Sequence, residues 1–319
     1  MKKIISILAV LTMILALTAC SGANTAEKDT YTVGICQLVQ HDALDAATKG
    51  FMDALSAEFG DKITFLNENA SNDVQTCTTI INNLVNKKVD LILANATPAL
   101  QAAVNGTATI PVLGTSITEY GTALGIEDFD GTVGGNVSGT SDLAPLDKQA
   151  DMIAELFPEA KTVSILFCTS EANSAYQVKN VKSFLEAKGI EVVECGFTDS
   201  NDVTAAASKA AASDVIYIPT DNTAASCATT IDGVIGDTPV IAGEEGICKN
   251  CGVATLSISY YDLGKTTGEM AVKILKGEAK IEDMPVEYTT AVKKYNKAKC
   301  EQLGIDTADL EAKGYVAID

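Results

Sequence analysis

Ser71-Asn72-Asp73-Val74 returns as Ser200-Asn201-Asp202-Val203, 129 residues further along a chain of 319. The surroundings of the two copies match in order. Each precedes a helical pattern, then an Asp, then an apolar run: Val89-Asp90-Leu91-Ile92 first, Ser213-Asp214-Val215-Ile216 later. Each run leads into a polar helix start, Asn95-Ala96-Thr97-Pro98 and Pro219-Thr220-Asp221-Asn222-Thr223. A Ser-Asn-Asp triplet is a helix cap in its own right. The matched order around it reads instead as two similar halves.

Outward from the repeat, short apolar runs alternate with helical spacing. Thr32 to Leu38, Ile63 to Leu66, Val89 to Ala94 and Ile110 to Gly114 read as strands of the first half. Leu44, Ala47, Phe51 and Leu55 recur as a helical stripe, as do Val74, Cys77, Ile81 and Leu84. The second half offers strands over Thr162 to Cys168, Ile190 to Cys195, Val215 to Pro219, Thr238 to Ala242 and Val253 to Ile258. Strand-helix alternation of this kind predicts α/β architecture: two Rossmann-like lobes with parallel sheets and right-handed crossovers.

The first residues speak about compartment. Lys2 and Lys3 precede an apolar run, Ile4 to Leu17, which ends in Leu17-Thr18-Ala19-Cys20. The run is short for a spanning helix, which takes about 20 residues; a positive head, an apolar run and small residues describe a secretory signal peptide over residues 1–19. The last four residues resemble the bacterial lipoprotein cleavage box, with Cys20 lipidated and residues 20–30 a polar tether. The expected location is extracytoplasmic, anchored to the membrane through Cys20 alone. A net charge of −19, with no basic cluster, argues against nucleic acid as a partner. Eight cysteines lie beyond the leader. Most sit in apolar stretches and read as small buried hydrophobes. Cys248-Lys249-Asn250-Cys251 is a weak zinc signal that reads as a local disulfide or a turn. No metal set or cofactor motif stands out, and neither is expected.

Ligands of parallel α/β sheets bind beyond the carboxyl ends of the strands. That rule turns the strand list into candidate binding residues. From the first half come Gln37, His41 and Asp45, then Ala96 and Thr97, then Thr115, then Ser141 and Asp142 near the passage between halves. The second half supplies Glu171, Asn173 and Ser174, then Asp221 and Asn222, then Glu244, and Tyr260 after the last strand. Turn and cap chemistry alone would place many of these residue types here. Helix starts offer N–H groups to a carboxylate, and nearby acids hold an ammonium. The pairing points towards a zwitterion more than a sugar. His41, the only histidine, reads as a ligand contact or a structural side chain; no nucleophile motif accompanies it, and an enzyme is not expected.

Six stretches together resemble the bacterial importer substrate-binding proteins of the tryptophan/tyrosine-type family. They are Gly34-Ile35-Cys36-Gln37-Leu38-Val39-Gln40-His41-Asp42-Ala43-Leu44-Asp45, Ala94-Asn95-Ala96-Thr97-Pro98-Ala99, Gly139-Thr140-Ser141-Asp142, Ser170-Glu171-Ala172-Asn173-Ser174, Pro219-Thr220-Asp221-Asn222-Thr223 and Tyr260-Tyr261-Asp262-Leu263-Gly264. The resemblance implies a type I periplasmic-binding fold, an ABC permease as partner, and an amino acid, aromatic by preference, as ligand. It also implies a three-strand hinge, crossed near Gly139 to Leu143, near Ser259 to Asp262 and near Pro285. The first lobe is then expected over residues 31–140 plus about 260–285, the second over 141–259 plus about 286–319. A sensory binding protein, or a sugar or nucleoside binder, would share this fold. The cysteines and the lack of Trp depart from the family pattern.

Overall fold

The computed structural model describes residues 29–318. The expected signal peptide and Cys20 lie outside the described residues. The first half runs β1 (Tyr31–Gln37), α1 (Asp42–Phe59), β2 (Ile63–Asn69), α2 (Val74–Asn86), β3 (Leu91–Asn95), α3 (Thr97–Gly106), β4 (Val112–Ile117), α4 (Tyr120–Leu124) and β5 (Val137–Ser141). The chain then builds α5 (Leu146–Leu156), β6 (Thr162–Cys168), α6 (Ala172–Ala187), β7 (Glu191–Phe197), α7 (Val203–Ala210), β8 (Val215–Ile218), α8 (Asn222–Ser226), α9 (Ala228–Ile235), β9 (Val240–Ala242), α10 (Glu245–Cys251) and β10 (Ala254–Ser257). It closes with α11 (Tyr260–Leu275), β11 (Glu287–Tyr288), β12 (Val292–Tyr295), α12 (Lys297–Leu303), α13 (Thr307–Ala312) and β13 (Val316–Ala317).

Two sheets result, and their first five strands share one order. The first is β2-β1-β3-β4-β5-β11; the second is β7-β6-β8-β9-β10-β12-β13. Pairing is parallel except for β10 with β12 among the named strands. β3 and β8 are buried along their whole length, as strands covered by helices on both faces must be.

The quoted repeat occupies equivalent places, at the starts of α2 and α7. Its clearest echo is the Asp that follows. Asp90 Oδ2 accepts from Thr32 N at 2.8 Å, and Asp214 Oδ2 accepts from Thr162 N at 2.8 Å. Each Asp N–H in turn donates to the carbonyl of the same Thr. The clasp ties the start of the third strand to the start of the first in both halves. The triplets themselves differ. Ser71 and Asn72 take left-handed φ of 53° and 64°, and Asp73 caps α2 through Thr76 N; Asp202 caps α7 with no side-chain bond.

Three connections pass between the sheets: β5 to α5, β10 to α11, and β11 to β12. The last lies at 289–291, a few residues past Pro285. α11 returns to pack on α1 of the first half so closely that glycine is required. A Cβ on Gly264 would enter the Ala47 carbonyl, and one on Gly50 would enter the Tyr261 carbonyl.

Several elements escape the periodicity argument. β5 reads Val-Ser-Gly-Thr-Ser and is wholly buried. Its polar groups bond inside the protein: Ser138 to Met284 O at 2.9 Å, Thr140 to Thr267 at 2.8 Å, Ser141 to Thr118 O at 2.9 Å. Val74, placed in an apolar stripe, is 52% exposed at the start of α2. Cys248 and Cys251 form neither a disulfide nor a turn: both thiols are free, buried and on α10. All eight described cysteines are free, and only Cys227 is not fully buried.

Candidate binding site

The carboxyl ends of the two sheets face each other across a narrow cavity. With a volume of only about 10 Å³, it has room for little more than one water. His41 after β1, Ser116 and Thr118 at the end of β4, and Asp142 after β5 form one wall with Leu44 of α1. Asn173 after β6, Thr220, Asp221 and Asn222 after β8, Ala225 of α8, and Glu244 after β9 form the other, with Tyr260 at the α11 passage.

Seven of the sequence candidates meet there: His41, Asp142, Asn173, Asp221, Asn222, Glu244 and Tyr260. The rest stand outside this wall, most of them buried behind it and Asp45 exposed at the neighbouring opening beside Glu244 and Tyr260. Gln37 donates to Asp45 at 2.6 Å and accepts from Thr48 at 2.6 Å, bracing the start of α1. Ala96 turns the chain into α3 at φ 90°, with Thr97 buried beside it. Thr115 bonds Thr267 at 3.2 Å, and Ser141 holds the Thr118 carbonyl. Ser174 donates to Asp221 at 2.7 Å. Glu171 caps α8, accepting from Asn222 N at 3.0 Å and Thr223 N at 2.8 Å.

Leu44, Ser116, Thr118, Thr220 and Ala225 join the wall without having been singled out. For Ser116 the reason is a register shift between Gly114 and Ile117, where β4 bulges against β5. A bulge re-aims a side chain that strand alternation would send elsewhere. Ser116 pays for this position in geometry, with φ 56°. Leu44 looked like an ordinary core residue of the α1 stripe, and the stripe carries no sign that its first turn reaches a cavity.

The cavity lining is acidic. Burial pushes the Asp142 carboxyl up to about 6 and Glu244 up to about 7. Asp221 is also raised, by burial first and then by the charge of Glu171. Burial lowers His41, which keeps the imidazole neutral. The acids differ in what they have left to offer. Asp221 is saturated by Cys168 N at 2.6 Å, Ser174 Oγ at 2.7 Å and Ala224 N at 2.8 Å. Glu244 caps α10 through Gly246 N and Ile247 N. Asp142 accepts from the Tyr260 hydroxyl through Oδ2 at 2.8 Å, and its Oδ1 is buried without a hydrogen bond. His41 Nδ1, Ser116 Oγ and Asn173 Oδ1 are likewise buried and unpartnered. His41 also begins α1 without a side-chain cap bond, so the first-turn N–H groups of an 18-residue helix carry no acceptor from it.

Two like-ordered parallel sheets, joined by three passages and closing on a buried polar cavity, define a solute-binding protein of the two-half type. The chain belongs to the ABC transporter substrate binding protein family, whose sequence pattern matches residues 32–312. Its partners are therefore a small-molecule ligand and the permease of an ABC transporter, and its task is binding rather than catalysis. It is 37% identical over 302 residues to a tyrosine-binding protein of Clostridioides difficile strain R20291, covering 89% of this chain and 87% of that one. A Streptococcus pneumonia protein in complex with L-Trp superposes with a TM-score of 0.85 at 31% identity, over 91% of this chain and all of that one. The ligand-free, open structure of a Clostridium difficile substrate binding protein with adhesive properties gives a TM-score of 0.69 at 38% identity, over the same shares. Among the described residues no helix is long and apolar enough to cross a membrane.

Proposed function

We propose that this chain captures an aromatic amino acid, tyrosine or tryptophan, as its zwitterion, outside the cytoplasm, tethered by lipid on Cys20. The observation that carries the ligand class is that four residues lining one cavity, His41, Ser116, Asp142 and Asn173, each hold a buried polar atom without a partner. An unmade buried bond costs about 1–3 kcal/mol; a ligand with several polar groups recovers that cost at each atom. Asp142 Oδ1 suits the ligand ammonium, and the uncapped start of α1 suits its carboxylate. Leu44, Ala225 and the Tyr260 ring give the side chain its apolar contacts. The names of the two relatives fit the aromatic class.

The cavity is too tight to admit an amino acid without the walls parting, so binding and hinge motion go together. The lobes move about the passages near 142–145, 258–259 and 289–291. The first comprises the β1–β5 sheet with α11 and β11; the second comprises the β6–β10 sheet with the C-terminal elements. The closer match to the L-Trp complex than to an open relative of higher identity supports this motion.

Calorimetry of the chain lacking its leader, against L-tyrosine, L-tryptophan, L-phenylalanine, sugars and nucleosides, tests the reading. Binding confined to sugars or nucleosides would defeat the ligand class. Labelled palmitate incorporation, lost in Cys20→Ala, tests the anchor.

A further inference from the structure

Resting on the amino-acid reading above, we propose that Glu171 touches no ligand and instead acts as a positioning residue: through Asn222 it sets the tautomer of His41. Five donors converge on the Glu171 carboxylate: Asn173 Nδ2 at 3.0 Å, Asn222 N at 3.0 Å, Asn222 Nδ2 at 2.7 Å, Thr223 N at 2.8 Å and Thr223 Oγ1 at 2.7 Å. With donors on every side, the carboxylate acts purely as an acceptor. The Asn222 amide must therefore turn its NH₂ to Glu171 and its carbonyl oxygen away.

That oxygen faces His41 Nε2 across the cavity at 3.4 Å, the long end of hydrogen-bonding reach. An oxygen that only accepts requires the proton on Nε2. A neutral imidazole carries one N–H, so Nδ1 is left as a bare acceptor. Nδ1 is the atom of His41 that is buried without a partner, and the ring lines the cavity. The relay thus fixes what His41 offers a ligand: a lone pair, which takes an N–H or O–H and repels another acceptor. The Thr223 hydroxyl donates to the same carboxylate, so Thr223 Oγ1 is free to accept from Asn72 Nδ2 of the opposite half at 3.0 Å. Glu171 therefore governs two hydrogen bonds that α8 makes across the cleft, from a place behind the wall.

The experiment is a double-mutant cycle of Glu171→Gln and His41→Phe, with nitrogen-15 NMR on histidine-labelled protein. His41 is the only histidine, so one imidazole reports. In the complex with L-tyrosine the wild type is expected to show Nε2 protonated and Nδ1 bare. Glu171→Gln is expected to mix the tautomers and weaken binding roughly tenfold. The double variant should lose less than the product of the two single losses, because both changes act through His41; only the part of the Glu171→Gln loss that runs through Thr223 and Asn72 adds independently. Asn222→Leu breaks the relay while leaving Glu171 on the α8 backbone, and should reproduce the NMR change should Glu171→Gln fold poorly. A protonated Nδ1 in the wild-type complex, or losses that multiply independently, would overturn the relay. If the wild type binds neither L-tyrosine nor L-tryptophan, the amino-acid reading fails, and the cycle read on melting temperature decides the relay. A double variant that melts higher than the two single losses add up to then supports it, and fully additive losses overturn it.

Discussion

Replacing Asp142 with Asn separates what the carboxylate does for the ligand from what it costs the fold. The side chain keeps its size and can still accept from the Tyr260 hydroxyl, now 2.8 Å from Oδ2. Folding raises this group from 3.8 to about 6, chiefly by burial. Between those values the folded chain binds more protons than the unfolded one. The sign follows: the stability linked to Asp142 is fully present below about pH 4 and is lost as pH rises through about 6. A shift of this size amounts to on the order of 3 kcal/mol of penalty at pH 7. Glu244, raised to about 7, adds in the same direction. Asn carries no such penalty, so Asp142→Asn should melt higher than wild type at pH 7 when no ligand is added. Binding should move the other way. A charge-assisted bond to an ammonium is worth about 1.5–3 kcal/mol, so affinity for L-tyrosine or L-tryptophan should fall roughly 10- to 100-fold. Wild-type affinity should be flat above about pH 7, about twofold weaker at pH 6 and roughly tenfold weaker at pH 5, where proton and ammonium compete for one oxygen. The variant should lose that slope. Calorimetry from pH 5 to 8, with melting curves alongside, reads all three. An Asn variant that binds within twofold of wild type, with the pH slope intact, would refute the placing of the ammonium on Asp142.

Three further outcomes follow from the packing. Gly264→Ala should cost about 1–3 kcal/mol or more in urea unfolding, because its Cβ enters the Ala47 carbonyl where α11 crosses α1; unchanged stability would mean the two helices separate easily. Ser116→Gly should relieve about 1 kcal/mol of left-handed strain while weakening ligand binding, and a variant that gains stability with full affinity would remove the hydroxyl from the site. Iodoacetamide on the native protein, mapped by mass spectrometry, should modify Cys227 ahead of every other described cysteine; equal labelling of Cys248 or Cys251 would contradict their burial on α10.

The readable part of this protein was its repetition. Two copies of Ser-Asn-Asp-Val, each with an Asp before a continuous apolar strand, were enough to place two like sheets, because buried parallel strands and their crossover helices impose spacing that survives in the letters. The Asp90 and Asp214 clasps give that spacing a physical cause. Strand ends also named segments that the fold brings together: seven of the residues line one cavity. Polar β5 stayed hidden, since its Ser and Thr side chains bond within the core and imitate a loop.

Within each segment the letters are silent about direction. Ser116 and Thr115 are neighbours of similar chemistry, and a bulge sends one into the cavity and the other to Thr267. Asp142, Asp221 and Glu244 are three acids at three strand ends, yet neighbours supply donors enough for two of them and leave one oxygen of Asp142 open. Sequence thus determined the halves, their order and the ends that meet, because those follow from hydrophobic spacing along the chain. Only the tertiary structure decided which polar atoms remain unsatisfied between them: Glu244 is capped from its own helix, but Asp221 and Asp142 take donors from Cys168 and Tyr260, 53 and 118 residues away.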